Sequence, residues 1–283
     1  MIEIRHRSTG EVLFATEADS LEGADLNHME LEGADLHGMD LRGANFQGAN
    51  LSGADLRGTD VEGANFRAAI LRGADLTGAD LTGATFGDGV QSNAAVLSQC
   101  SLRDARITSC DMPYVDLRDA DLSGSTLSRT DLHAARMVNA LLRKTIVGSA
   151  LMLEADLRGA DLTGAYLCNV RLNAANLSGA KLDGAILGGE DCIPATMNRA
   201  VLIRASLVGA CLCGVSLLHA DLSGADLREA DLSESDLTGS LLRKANLAGA
   251  NLQDVDLTTT TLTLANLSEA KNVKLKYPRR DAR

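Results

Sequence analysis

The residues able to do chemistry are spread along the chain in a way that argues against a catalytic centre. Five histidines, His6, His28, His37, His133 and His219, are scattered through 283 residues. No Gly-x-Ser-x-Gly, phosphate-binding loop or metal-ligand spacing accompanies them. Cys211 and Cys213 form a lone Cys-x-Cys without a second pair, so no zinc site is expected. Six cysteines do not suggest a disulfide frame, and Cys100 and Cys110 fall at slots where Cys acts as a small hydrophobe. The chain reads as non-enzymatic, with no cofactor and no metal.

Carboxylates in register carry more information. Asp35, Asp55 and Asp75 recur every 20 residues, and Asp40, Asp60 and Asp80 do the same one step on. On a 20-residue coil, each trio would form a ladder up one face. Such ladders could be a phosphate-like track for a basic partner, or Asp residues that fasten turns and keep a rod soluble. Asp221, Asp226, Asp231 and Asp236 would instead encircle one coil, which reads as structural. Ile146, Tyr166 and Ile186 share the 20-residue spacing, at a slot usually held by Asp or Asn. Alternation turns them outward, and an apolar stripe on a surface suggests a contact site. The plain alternative is a degenerate repeat whose side chains fold over the corners. A homodimer packed through this row is its simplest use, because a two-fold axis can pair a stripe with itself.

The element that must position these residues is a repeat of five. From Leu21 to Phe86 every fifth residue is bulky and apolar, with a small one two residues before it. Neither the helical period of 3.6 nor the strand period of 2 explains this, and a fixed repeat signals a solenoid. Each of the five positions has a physical role: small inside, polar outside, large inside, variable outside, and Gly for a sharp corner. Phe46, Phe66 and Phe86 are spaced by 20, so a four-sided coil would stack them in the core. The phase slips after Phe86, where Gly87 to Asn93 is rich in turn residues, and resumes at Leu97 to run to Leu267. Counting straight through gives roughly 49 slots, about twelve coils, and a body about 58 Å long at the usual strand spacing. Glu190 at an inward slot and Pro194 nearby predict an outward bulge at 188–195, with the residue count staying in phase.

The organisation expected is a hairpin cap over 1–18, a solenoid over 19–269 with irregular segments near 87–96 and 188–195, and a C-terminal strand with a basic tail over 270–283. Net charge is −11 and uneven: residues 1–86 hold 15 acids against 6 bases. An acidic body repels nucleic acid and attracts basic surfaces, so no direct nucleic-acid binding is expected. No signal-peptide pattern and no membrane-length apolar run is seen, which points to a cytoplasmic protein without a membrane partner.

Phrases such as Ala24-Asp25-Leu26, Ala54-Asp55-Leu56-Arg57-Gly58, Ala160-Asp161-Leu162-Thr163-Gly164 and Ala225-Asp226-Leu227 resemble the motif of pentapeptide-repeat proteins over about 19–269. The resemblance implies an all-β fold, a right-handed quadrilateral parallel β-helix. For function it implies a protein-interaction solenoid whose partner is unknown. The quinolone-resistance members of that family are dimers that resemble DNA and bind type II topoisomerases. By that resemblance the alternative is a DNA mimic whose partner is DNA gyrase or topoisomerase IV. Those members carry projecting loops and a dimerising C-terminal helix. This chain offers a short candidate loop at 87–96, and its tail does not read as a helix.

Overall fold

The structure, a computed structural model, describes residues 1–274. One repeat shows how the body is built. The Ala44 N–H donates to the Leu41 carbonyl at 3.0 Å, closing a four-residue turn in which Gly43 has φ 64°. Positive φ at the third turn position is what type II geometry requires. Asn45 then donates to Ala24 of the coil below, while Phe46 and Gly48 donate to Asn65 and Arg67 of the coil above. The Asn45 side chain accepts the Gln47 N–H at 3.2 Å, fastening the next corner. Repetition of this unit aligns residue n with n + 20 in parallel, from Asp25↔Asn45 to Asn251↔Lys271. The result is a quadrilateral parallel β-helix without an α-helix among the described residues.

The corner does not depend on Gly. Gln99, Asp104, Ser109, Tyr114 and Lys144 occupy the same turn position with φ between 55° and 62°. The inter-coil hydrogen bonds over-determine the corner enough to hold these residues in the left-handed region.

The interior follows the alternation. Leu-type slots from Leu21 to Leu257 are buried, mostly completely, and Ala fills most small slots. Phe46, Phe66 and Phe86 are fully buried, with ring centroids 5.0 and 4.9 Å apart and planes 2° and 9° from parallel. At several small slots that hold a polar residue, the side chain caps a core carbonyl. Thr59 donates to Leu56 at 2.7 Å, Ser125 to Leu122 at 2.6 Å and Thr145 to Leu142 at 2.8 Å. The Cys100 and Cys110 thiols do the same toward Leu71 and Leu81.

Two loops interrupt the coil without breaking the core. The Ala95 N–H reaches back to the Phe86 carbonyl at 2.8 Å, so the residues between stand outside and this coil aligns Ile70 with Val96. A 3-10 turn, Gln91–Asn93, lies in this loop, and Asp88 ties it together by accepting from Val90 and Asn93. The second loop follows Leu187, whose carbonyl accepts the Ala195 N–H at 2.8 Å. Here Ile186 aligns with Cys211, so a whole repeat's worth of residues is inserted. The phase of the letters survives while Cys192 leaves the core. This corrects the straight-through count, which had given Cys192 an inward slot. Cys192 instead forms a disulfide with Cys168 of the coil below, with the two Cα atoms 5.4 Å apart. The expectation that the cysteines make no disulfides therefore fails for this pair.

At the N-terminus β1 (Ile2–His6) pairs antiparallel with β2 (Val12–Thr16) and with β3 (Ala34–Asp35). Ile4 is fully buried, and Ile2, Leu13 and Phe14 pack on the core. Gly33 is required where the hairpin crosses, since a Cβ there would lie 2.4 Å from the His6 ring. The C-terminal strand and basic tail expected over 270–283 lie outside the described residues from 275 onward. Among the described residues no helix is long and apolar enough to cross a membrane.

Candidate interaction surface

The two acidic ladders exist as columns. Asp35, Asp55 and Asp75 are bridged in parallel, as are Asp40, Asp60 and Asp80. Each of the six accepts the N–H two residues on, at 3.0–3.3 Å, so each fastens a corner. Three arginines also pair with five of the six, all but Asp35. Arg57 reaches Asp55 at 2.5 Å and Asp75 at 3.8 Å. Arg42 reaches Asp40 at 2.7 Å, Glu22 at 3.3 Å and Asp60 at 3.8 Å. Arg106 lies 3.7 Å from Asp80. The Arg57 hydrogen bond holds the Asp55 carboxyl below its ordinary range, and Arg42 does the same for Asp40.

These ion pairs escaped the reading of the carboxylates alone, although a signal was present. Asp-Leu-Arg occurs at Asp40, Asp55, Asp116, Asp156 and Asp226, and in each case the Arg folds back on its Asp within 2.7 Å. Asp and Arg at i and i+2 around an inward Leu both face solvent at one corner, which brings the fork to the carboxylate.

Ile146, Tyr166 and Ile186 are also bridged in one column, at 47, 38 and 41% exposure. This column is continuous with the second acidic ladder. It runs Asp40, Asp60, Asp80, Arg106, Thr126, Ile146, Tyr166, Ile186, Cys211, Asp231, Asn251, Lys271. What looked like separate features in the sequence is one face with an apolar centre and charged ends. The loop after Leu187 borders the row: the Ile193 carbonyl accepts the Asn169 N–H at 2.7 Å, and the Ile193 side chain is 66% exposed.

The other clusters lack reactive geometry. An open cleft of about 570 Å³ beneath the first loop is lined by Arg67, Asp88, Asp111, Pro113, Tyr114 and His133, among others. Tyr114 meets His133 edge-on at 5.6 Å, and the cleft offers no Ser or Cys nucleophile. Burial pushes the Cys100 and Cys110 thiols up to about 12, which leaves them unreactive. Cys211 donates to the Gly188 carbonyl at 3.0 Å. Among the described residues no group of three or more His, Cys, Asp or Glu could hold a metal ion.

The family model described as "Pentapeptide repeats" matches eight times, at residues 20–58, 49–88, 93–124, 110–146, 150–189, 213–243, 220–258 and 240–271. The chain belongs to the pentapeptide repeat family. Its fold is accordingly the right-handed quadrilateral parallel β-helix. The chain is similar to the crystal structure of HetL, a pentapeptide repeat protein involved in heterocyst differentiation regulation from the cyanobacterium Nostoc sp. strain PCC 7120. That pair shares 32% identity at a TM-score of 0.55, over 73% of this chain and 87% of HetL. A pentapeptide repeat protein from the Arabidopsis thaliana thylakoid lumen is 29% identical over 42% of this chain and 70% of its own, at a TM-score of 0.22. QnrB1, a plasmid-mediated fluoroquinolone resistance protein, is 20% identical over 88% of this chain and 89% of its own, at a TM-score of 0.30. No curated protein matches this sequence.

Proposed function

We propose that this pentapeptide repeat protein is a non-enzymatic scaffold that binds a protein partner through the face centred on Tyr166. The observation that carries this reading is the exposed row Ile146–Tyr166–Ile186 on three consecutive coils. An outward slot of this fold asks for Asp or Asn, so each large apolar residue there works against solubility unless something covers it. Tyr at the centre suits an interface anchor, being large, rigid and partly polar. The test is capture with wild-type and Tyr166→Asp baits side by side. Proteins retained by the first and lost by the second support the face, and identical retention by both removes it.

The alternative, a DNA mimic that binds gyrase or topoisomerase IV, would use the acidic columns. Their Arg partners and their turn-fastening bonds weigh against it, because a phosphate-like track needs uncompensated charge. Gyrase supercoiling assays with quinolone should show no protection by the wild type. Protection that is lost on reversing Asp35, Asp55 and Asp75 to Lys would reinstate this reading.

A further inference from the structure

The face centred on Tyr166 has a property that a generic sticky patch would lack: its sequence of side chains is complementary to its own reverse. Counting coils outward from Tyr166, Ile146 and Ile186 are one step away on either side. Thr126 and Cys211 are two steps away, and Arg106 and Asp231 are three. Asp80 and Asn251 follow at four steps, and Asp60 and Lys271 at five. A two-fold axis lying in the face and perpendicular to the solenoid would set each residue against its counterpart on a second copy. Tyr166 would meet Tyr166, and Ile146 would meet Ile186. Arg106 would meet Asp231, and Asp60 would meet Lys271.

We propose, resting on the reading of this face as the contact site, that its partner is a second copy of this chain packed antiparallel about Tyr166. The charge pattern selects the orientation. A two-fold axis parallel to the solenoid would set Arg106 against Arg106, Asp231 against Asp231, Asp60 against Asp60 and Lys271 against Lys271. Four like-charge contacts would then replace the opposite-charge ones, and like charges across an interface are a strong penalty. Arg106 is 67% exposed despite its 3.7 Å approach to Asp80, so its guanidinium is open to a partner. Asp231 is held in place by bonds from Ser233 and Asn251, so its carboxylate is preorganised. From Asp60 to Lys271 the strip runs ten inter-coil steps, about 48 Å at ~4.8 Å per coil. At that length a standard interface of ~800 Å² per partner requires a contact strip roughly 17 Å wide.

The experiment is light scattering on the full chain, combined with disulfide trapping. The wild type is expected as a dimer and Tyr166→Asp as a folded monomer. Arg106→Glu and Asp231→Lys should each weaken the dimer by roughly tenfold or more, and the two changes together should restore it. Because Asp231 also bonds its own coil, trapping supplies an independent readout. In a background with Cys211→Ser and Cys213→Ser, mixing an Ile146→Cys chain with an Ile186→Cys chain should give a cross-linked pair, while each alone should not. Self-linking of either single variant, or no effect of charge reversal and no rescue, overturns the antiparallel arrangement. A monomeric wild type overturns the second copy as partner while leaving the face open to a heterologous protein. A dimer unchanged by Tyr166→Asp overturns the face itself.

Discussion

At the scale of single residues, stability resides in inward slots, and the proposed contact face in departures from the outward consensus. Phe66 has a ring on both sides, with centroids 5.0 and 4.9 Å away, and is fully buried. Phe66→Ala should lower the unfolding free energy by about 3–5 kcal/mol, seen as a lower urea midpoint, since neighbouring coils cannot collapse into the gap. Phe66→Leu should cost less than Phe66→Ala, because it leaves a smaller gap and the repeat accepts Leu at this slot elsewhere. The Asp-Leu-Arg corners add a pH dependence. Arg57, Arg158 and Arg228 donate hydrogen bonds that hold Asp55, Asp156 and Asp226 below the ordinary 3.8. A depressed folded value means the stabilisation is fully present above about pH 4 and is lost as pH falls through the folded values. Thermal unfolding from pH 7 to pH 3 should show a flat melting temperature and then a decline. A variant with all three Arg changed to Gln should decline less steeply.

At the scale of elements, the coil tolerates insertion wherever the backbone on either side can still close its turn. Leu187 and Ala195 are joined by the same turn hydrogen bond that joins Leu41 and Ala44 in a regular repeat. Replacing residues 188–194 by Ser-Gly should therefore leave the fold intact, with circular dichroism unchanged. The loop as it stands is closely fitted: a Cβ on Gly188 would lie 1.9 Å from the Cys213 carbonyl oxygen. The Cys168–Cys192 bridge closes a separation of 24 residues. Removing it with Cys168→Ser and Cys192→Ser should cost about 2–4 kcal/mol. A reductant should lower the melting temperature of the wild type and leave that double variant unchanged. Equal response of both proteins would mean the bridge contributes nothing.

At the scale of the whole molecule, the five-residue period and the 20-residue recurrence of Phe were enough to derive the coil, its inward slots and its stacked rings. The period is readable because every repeat answers the same local demands, namely a turn, an Asx bond and one large apolar residue. The first loop was legible as a phase slip. The second was expected as an outward bulge, from Glu190 and Pro194, but not as a whole extra repeat, because an insertion of that length leaves the spacing of Leu unchanged and only the backbone pairing reveals it. The disulfide was hidden for the same reason, since it joins a corner residue to that insertion. The acidic columns were legible as columns, but not their compensation by Arg, which depends on side chains folding round a corner. Above all, the sequence determined which residues face outward, and the tertiary structure decided which of them share a face. Two loops shift the count to 26 between Ile70 and Val96 and to 25 between Ile186 and Cys211. Asp40, Arg106, Tyr166, Asp231 and Lys271 therefore fall on one line only after the chain has coiled, because inter-coil hydrogen bonds set the register of a solenoid where spacing along the chain cannot.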